Sequence, residues 1–289
     1  SGCTGVHPYD SPDFATPSPR FHSSLNMYTF FLYALLALVL LSVAMSLLGT
    51  YIVTRRQVFI AGGITHTCFG GLGLGYWLGF PPAAGAVAFA LIGAWGAKRL
   101  SRTTRSDSAI ATIWAVGMAL GILFVFLAEG NAPELNTFLF GNVLTVAPLD
   151  LWLLLGFTLL LCLVFLFFRR VIVAVSFDEA FARTRALPAG AVDLVMTLLV
   201  AVGIVLGIRL IGIMLLMSLV SLPQITAERF TRSYGAMTLL SAGVSLLGCV
   251  GGLVAAWYLA VPASACIVLL LALFYVTARF LPRYSIYRK

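Results

Sequence analysis

The chain has 289 residues, of which 61% are apolar and 10% charged, and its mean hydropathy is +1.04. A soluble domain runs near half apolar and a quarter charged, so a water-exposed globule is excluded; lipid can face this much apolar surface and water cannot. The formal charge of +8 would suit a nucleic-acid partner, but the basic residues sit in short loops between apolar runs, and that distribution excludes nucleic acid.

Residues 1–26 are rich in Pro, Ser and His and lack the apolar core of a signal peptide. They read as a disordered tail or a tag remnant, and 27–289 as one transmembrane domain. Nine apolar runs follow, near 28–53, 58–80, 82–97, 108–128, 149–168, 190–208, 210–226, 235–258 and 262–281. A helix needs about 20 residues to cross the hydrocarbon, and a backbone in lipid must satisfy its own hydrogen bonds. The fold class expected is therefore an all-α polytopic membrane protein of about nine helices. The third and seventh runs are short, which predicts tilted, broken or partly spanning helices. The basic residues set the orientation. Sixteen of the 18 Lys and Arg fall in one set of loops, and only Arg20 and Arg209 in the other. The positive-inside rule then places the N-terminus outside and the C-terminus inside.

Two connections stand out. Glu129 to Pro148 is too polar and broken to span, although Leu135–Leu144 has the character of a short helix or re-entrant piece. The longest loop on the basic side, 171–190, carries SFDEAFARTRALP. Phe177 and Phe181 share one face of a short amphipathic helix there. Glu179 and Arg183 form a favourable i,i+4 pair, and Ser176 is placed to cap, with Glu179 at its third position. Such a helix either anchors in a partner's groove or lies on the lipid headgroups.

The glycines of GGLGLG at 70–75 lie inside an apolar run, not between a strand and a helix, so they read as a helix-packing seam and not a dinucleotide fingerprint. The pairs Gly203/Gly207 and Gly248/Gly252 repeat that spacing. No GxxxxGK[ST] is present, so ATP, if used, is bound by another subunit. The cysteines, at 3, 68, 162, 249 and 266, have no CxxC spacing and read as free thiols. All ten acids lie in loops, in the tail or at run ends; a proton-coupled carrier keeps a titratable acid at depth. His66, in THTCFGG, is the one histidine within a run. A polar ring at that depth either lines a path as a ligand or bonds a neighbouring helix, and Thr65 and Cys68 beside it are candidate lining residues.

Taken in order, these features resemble the membrane permease subunits of bacterial ABC importers for divalent metals, the zinc/manganese/iron group. The carriers are GTYIVTRRQVFIAGGITHTCFGG at 49–71, FGNVLTV at 140–146, the SFDEAFARTRALP loop, RLIGIMLLMSLVSLPQITAERF at 209–230 and VPAS at 261–264. The resemblance implies a homodimeric, multi-pass permease in the cytoplasmic membrane, in contact with lipid. Its partners would be a cytoplasmic ATP-binding subunit and an extracytoplasmic substrate-binding protein. ATP and Mg would belong to the partner, and this chain would bind no cofactor of its own. The loop residues Phe177, Asp178, Glu179, Phe181 and Arg183 would form the coupling helix, and His66 the metal ligand of a central path. Two departures are plain: Gly62 and Ala260 stand where the family commonly has aspartates. With those acids missing and a histidine from each of two copies, the expected cargo is zinc in preference to manganese or iron. The alternative is a stand-alone channel or secondary carrier, which has no need of the loop. An intramembrane enzyme would need paired acids or HExxH, and the chain has neither.

Overall fold

The computed structural model describes residues 19–100, 105–128, 141 and 146–281. Among them are nine α-helices and no strand: α1 (Pro19–Thr54), α2 (Val58–Leu78), α3 (Pro82–Leu100), α4 (Ser106–Leu127), α5 (Pro148–Phe177), α6 (Glu179–Thr184), α7 (Ala189–Glu228), α8 (Tyr234–Leu259) and α9 (Ala263–Phe280). Punctuation follows local chemistry. Gly79, at φ 73°, ends α2, and Pro148 opens α5 where a missing N–H costs nothing. Seven helices are long and apolar enough to cross a membrane, while the apolar part of α3, Pro82–Ala97, is shorter. α1 begins at Pro19, inside the segment read as a tail; residues 1–18 and nearly all of 129–145 lie outside the described residues.

The runs at 190–208 and 210–226 belong to one 40-residue element, α7, interrupted at Gly212 (φ 74°, ψ 172°). The chain reverses there. A Cβ on Gly207 would strike Leu216, nine residues on, a separation of about 13 Å in a continuous helix. Gly212 sits in a region of backbone space open in practice only to glycine. Gly141, also at positive φ, packs its Cα against Ile211 and Gly212. That contact gives the FGNVLTV glycine a structural reason: no side chain fits.

The second limb of α7 contains Pro223, whose ring leaves the Leu219 carbonyl without its i→i−4 donor. The neighbouring side chain repairs this. Gln224 Nε2 donates to Leu219 O (3.1 Å) and to Met45 O of α1 (3.1 Å), and so ties two helices at the weak point. Gly49 of α1 makes room for that amide.

α1 is the central post. Leu38, Leu41, Met45 and Leu48 are buried in one core with Leu154, Ile211, Leu215 and Leu271. The GGLGLG segment is a packing seam, as its spacing suggested. Gly71 meets Gly85 of α3 backbone to backbone, Gly73 meets Gly121 of α4, and Gly75 meets Pro82. Gly203, Gly207, Gly248 and Gly252 are likewise filled by neighbouring side chains. Outward-facing Phe126, Phe167, Leu239 and Tyr258 are largely exposed, an apolar perimeter that only a non-aqueous surrounding makes favourable.

Contacts sort the helix ends into two groups. Arg55, Glu179, Asp193, Glu228 and Tyr234 gather at one end. Asp150, Arg209, Tyr76 and Pro82 gather at the other. Both ends of α7 lie in the first group, as a hairpin at Gly212 requires.

Candidate transport path and coupling element

His66 lies midway along α2 and is half-buried. Its ring stacks on Trp114 of α4 at 4.0 Å between centroids and 14° between planes. Nδ1 lies 3.4 Å from Sδ of Met118, one turn farther along α4. Thr65 is buried; its hydroxyl donates to Ala61 O (2.7 Å) and lies 3.5 Å from Sδ of Met217 on the second limb of α7. Cys68 is not brought to this face. It is two residues and about 200° around the helix from His66, fully buried, with Sγ 3.1 Å from Ile64 O.

The two departures from the family's acids have different surroundings. At Gly62, one turn before His66, a Cβ would stand 3.3 Å from Met217 Cε and 3.8 Å from Trp114, so a thioether methyl occupies the space next to an expected carboxylate. Ala260 ends α8 in the left-handed region (φ 52°, ψ 43°) and is exposed. Among the described residues no three His, Cys, Asp or Glu side chains converge on one point. The donors near His66 are therefore sulfur and hydroxyl. The methionines carry no distinguishing signal in the sequence, because Met in an apolar run looks like core.

The amphipathic helix expected in the 171–190 loop is α6, but its cap differs. α5 continues through Phe177, so Phe177 does not share a helix face with Phe181 as the i,i+4 spacing suggested, and Ser176 is still helical, its hydroxyl donating to Ile172 O (2.6 Å). Asp178 is the residue that caps, accepting from Phe181 N (2.9 Å). Arg183 pairs with Glu179 at 2.7 Å. Phe177 and Phe181 are 63% and 52% exposed. The first touches Tyr234 edge-on, and the second lies under the Arg185 guanidinium at 5.4 Å.

A residue read from sequence only as a topology signal holds this element in place. Arg55, at the end of α1, donates to Val175 O (2.8 Å), Glu179 (3.0 Å) and Asp193 (3.4 Å). It thereby joins α1, α5, α6 and α7. Its partners lie 120 or more residues away, so no local pattern marks it. Hydrogen bonds from Arg183 and then Arg55 hold the Glu179 carboxyl below the usual carboxylate range. A cleft of about 690 Å³ opens beside it, lined by Arg55, Arg56, Phe177, Glu179, Glu228 and Arg232. At the opposite end Arg209 pairs with Asp150 at 3.3 Å, next to an apolar cavity of about 480 Å³ bounded by Tyr76, Pro82, Val125 and Val205.

Comparison with known proteins finds relatives along nearly the whole chain. The model of the ABC 3 transport family matches residues 27–281. A "probable metal transport system membrane protein" of Chlamydia pneumoniae is 35% identical over 82% of this chain and 84% of its own length. The manganese transport system membrane protein MntC of Halalkalibacterium halodurans is 28% identical over 90% of each chain. Among solved structures, PsaBC from Streptococcus pneumoniae, in complex with Fab, superposes with a TM-score of 0.82 at 25% identity, covering 93% of this chain and 97% of that one.

Proposed function

The chain belongs to the ABC 3 transport family, and from that premise we propose that two copies form the permease of an ATP-driven importer that brings zinc, in preference to manganese or iron, into the bacterial cytoplasm. At the coarser level, it is a multi-pass membrane permease subunit of a metal transport system and not an enzyme. The observation that carries the importer reading is α6: a short helix outside the spans, presenting the exposed Phe181 beside the exposed Phe177 that ends α5, and clamped to three spanning helices through Arg55. A channel or secondary carrier has no use for it. In this reading Phe177, Asp178, Glu179, Phe181 and Arg183 meet the cytoplasmic ATP-binding subunit, which holds ATP and Mg, and the basic end of the molecule faces the cytoplasm. The N-terminus is then outside and the C-terminus inside. A substrate-binding protein delivers the ion to the Asp150–Arg209 end.

His66 supports the path assignment, with Thr65 beside it. It is an imidazole at membrane depth on an accessible wall with no carboxylate partner, and two copies across a dimer axis would supply two nitrogens to one ion, which suits zinc. The names of several relatives specify manganese; the preference for zinc rests on Gly62, where no oxygen ligand is available. Reconstituting the permease with its ATPase and binding protein in liposomes tests this directly. ATP-dependent uptake of labelled zinc should exceed that of manganese and iron. Manganese uptake equal to or above zinc would overturn the preference, and uptake without ATP would restore the carrier alternative.

A further inference from the structure

His66 and Met118 are spaced as ligands of one ion. A tetrahedral centre with a metal–nitrogen distance of about 2.0–2.1 Å and a thiolate sulfur at about 2.3 Å sets those donors roughly 3.5 Å apart, and a neutral thioether, which binds somewhat farther out, sets them slightly wider. Nδ1 of His66 and Sδ of Met118 are 3.4 Å apart. Trp114 fixes the plane of the ring, and both side chains are half-buried, not sealed, so an ion can reach them. With the ring proton on Nε2, the Nδ1 lone pair is free beside the Met118 sulfur, and no N–H···S bond must break to admit a cation. A second thioether, Met217, fills the space beside Gly62. The acids of the described residues that bear on the alternative, Asp107, Asp150, Asp193 and Glu228, lie in the first or last turns of helices or just past them, away from this depth.

We propose that Met118 is a protein ligand, together with His66, at a nitrogen–sulfur station on the transport path that accepts borderline-to-soft cations of the zinc or cuprous class and passes over manganese. This rests on the reading of His66 as a path residue and adds the partner that sets its selectivity. Thioethers favour softer ions, whereas manganese is held by oxygen. A neutral thioether also leaves the ion weakly bound, as onward release requires.

The test uses silver(I) as a redox-inert soft probe, one equivalent loaded onto the full-length permease in detergent, in a cysteine-free background that leaves no competing thiol, and read by X-ray absorption. Zinc and manganese uptake are measured in parallel in liposomes containing the complete importer. The parent should show nitrogen and sulfur scatterers. Met118→Leu, which keeps volume and apolarity, should lose sulfur from the shell, weaken silver binding by roughly tenfold or more and lower zinc uptake in proportion. His66→Ala should lose the nitrogen, and His66→Asn should restore packing without restoring binding. If Met118→Leu keeps the parent's sulfur shell and its zinc uptake, the 3.4 Å contact is an N–H···S packing bond and the proposal is overturned. If silver binding depends on both residues but the complex shows no ATP-driven uptake of any metal, the ligand pair stands and the importer reading falls.

Discussion

Removing the Arg55 side chain should free α6 without unfolding the bundle. Arg55→Ala deletes three charge-assisted hydrogen bonds, to Val175 O, Glu179 and Asp193. The first of these acceptors is in the last turn of α5, where a helix leaves its own carbonyls open. Exposed ion pairs are worth up to about 1 kcal/mol, and losing one partner of a fully buried pair costs about 3–5 kcal/mol. The Arg55 side chain is 12% exposed, with partners at 35% and 24%, so a loss of about 2 kcal/mol lies between those limits. That is a roughly 30-fold shift in the docking equilibrium of α6. Hydrogen exchange of the permease in nanodiscs, read by mass spectrometry, should show faster exchange by that order in the peptide spanning 176–187 and unchanged protection in α8 and α9. Arg55→Lys should fall between, because one ammonium cannot fork to three acceptors. The sign with pH follows from Glu179. Its carboxyl is depressed by Arg183 and Arg55, so its contribution is present above the unfolded carboxyl value near 4.3. That contribution is lost as pH falls through the lower, folded value. Protection of α6 in the parent should therefore hold through neutral and mildly acidic pH and weaken only in strong acid. Unchanged exchange in Arg55→Ala would refute the clamp.

Three further outcomes are expected. Phe181→Asp puts a charge on an exposed aromatic knob of α6; ATP-driven uptake should be lost while membrane insertion and thermal stability stay at parental levels, and full uptake would remove α6 as the coupling element. In a cysteine-free background, Gly130→Cys should react with an impermeant thiol reagent added from outside and Thr103→Cys should not; external labelling of both contradicts the orientation. Gly212→Ala forces a side chain into a backbone region reserved for glycine, at a cost of about 1–3 kcal/mol. It should lower the thermal midpoint of the purified permease more than Gly156→Ala, whose surroundings are open; equal midpoints would show that the reversal at Gly212 tolerates a side chain.

Much of the architecture was legible because lipid imposes strict rules. Apolar runs must become helices, and charge bias must follow the loops. The reversal in α7 was legible only approximately. Arg209 signalled a break, but the turn falls at Gly212, whose positive φ has no signature in a run of ILMG residues. The cap was misplaced from Asp178 to Ser176 because α5 extends past Arg169 and Arg170, which looked like an end. The clamp residue Arg55 and the thioethers Met118 and Met217 were not legible as parts of sites. Their meaning lies in partners dozens to more than a hundred residues away, and each on its own matches an ordinary role, a loop cation or a core methionine. Cys68 shows the converse: two residues from His66 in sequence, it lies on the other side of α2.

The structure also joins the two candidate sites by direct contacts. α6 is clamped to the end of α1 by Arg55. Nearly three turns earlier, α1 gives its Met45 carbonyl to Gln224, and Gly49 leaves room for that amide. Gln224 belongs to the second limb of α7, where it replaces the hydrogen bond that Pro223 removes. The same limb, two turns back, carries Met217 to the Thr65–His66 wall. Each link is a hydrogen bond, an ion pair or a close-packed glycine, and none is a flexible loop. A displacement of α6 by a docked ATPase would therefore move α1 and the second limb of α7 as a body. The glycine seam between α2, α3 and α4 packs those three helices as a separate unit. The thioether of Met217 and the imidazole of His66 lie on opposite sides of the boundary between these units. That boundary is where alternating access would change the ligand geometry that an ion meets, with the rigid parts on either side left intact.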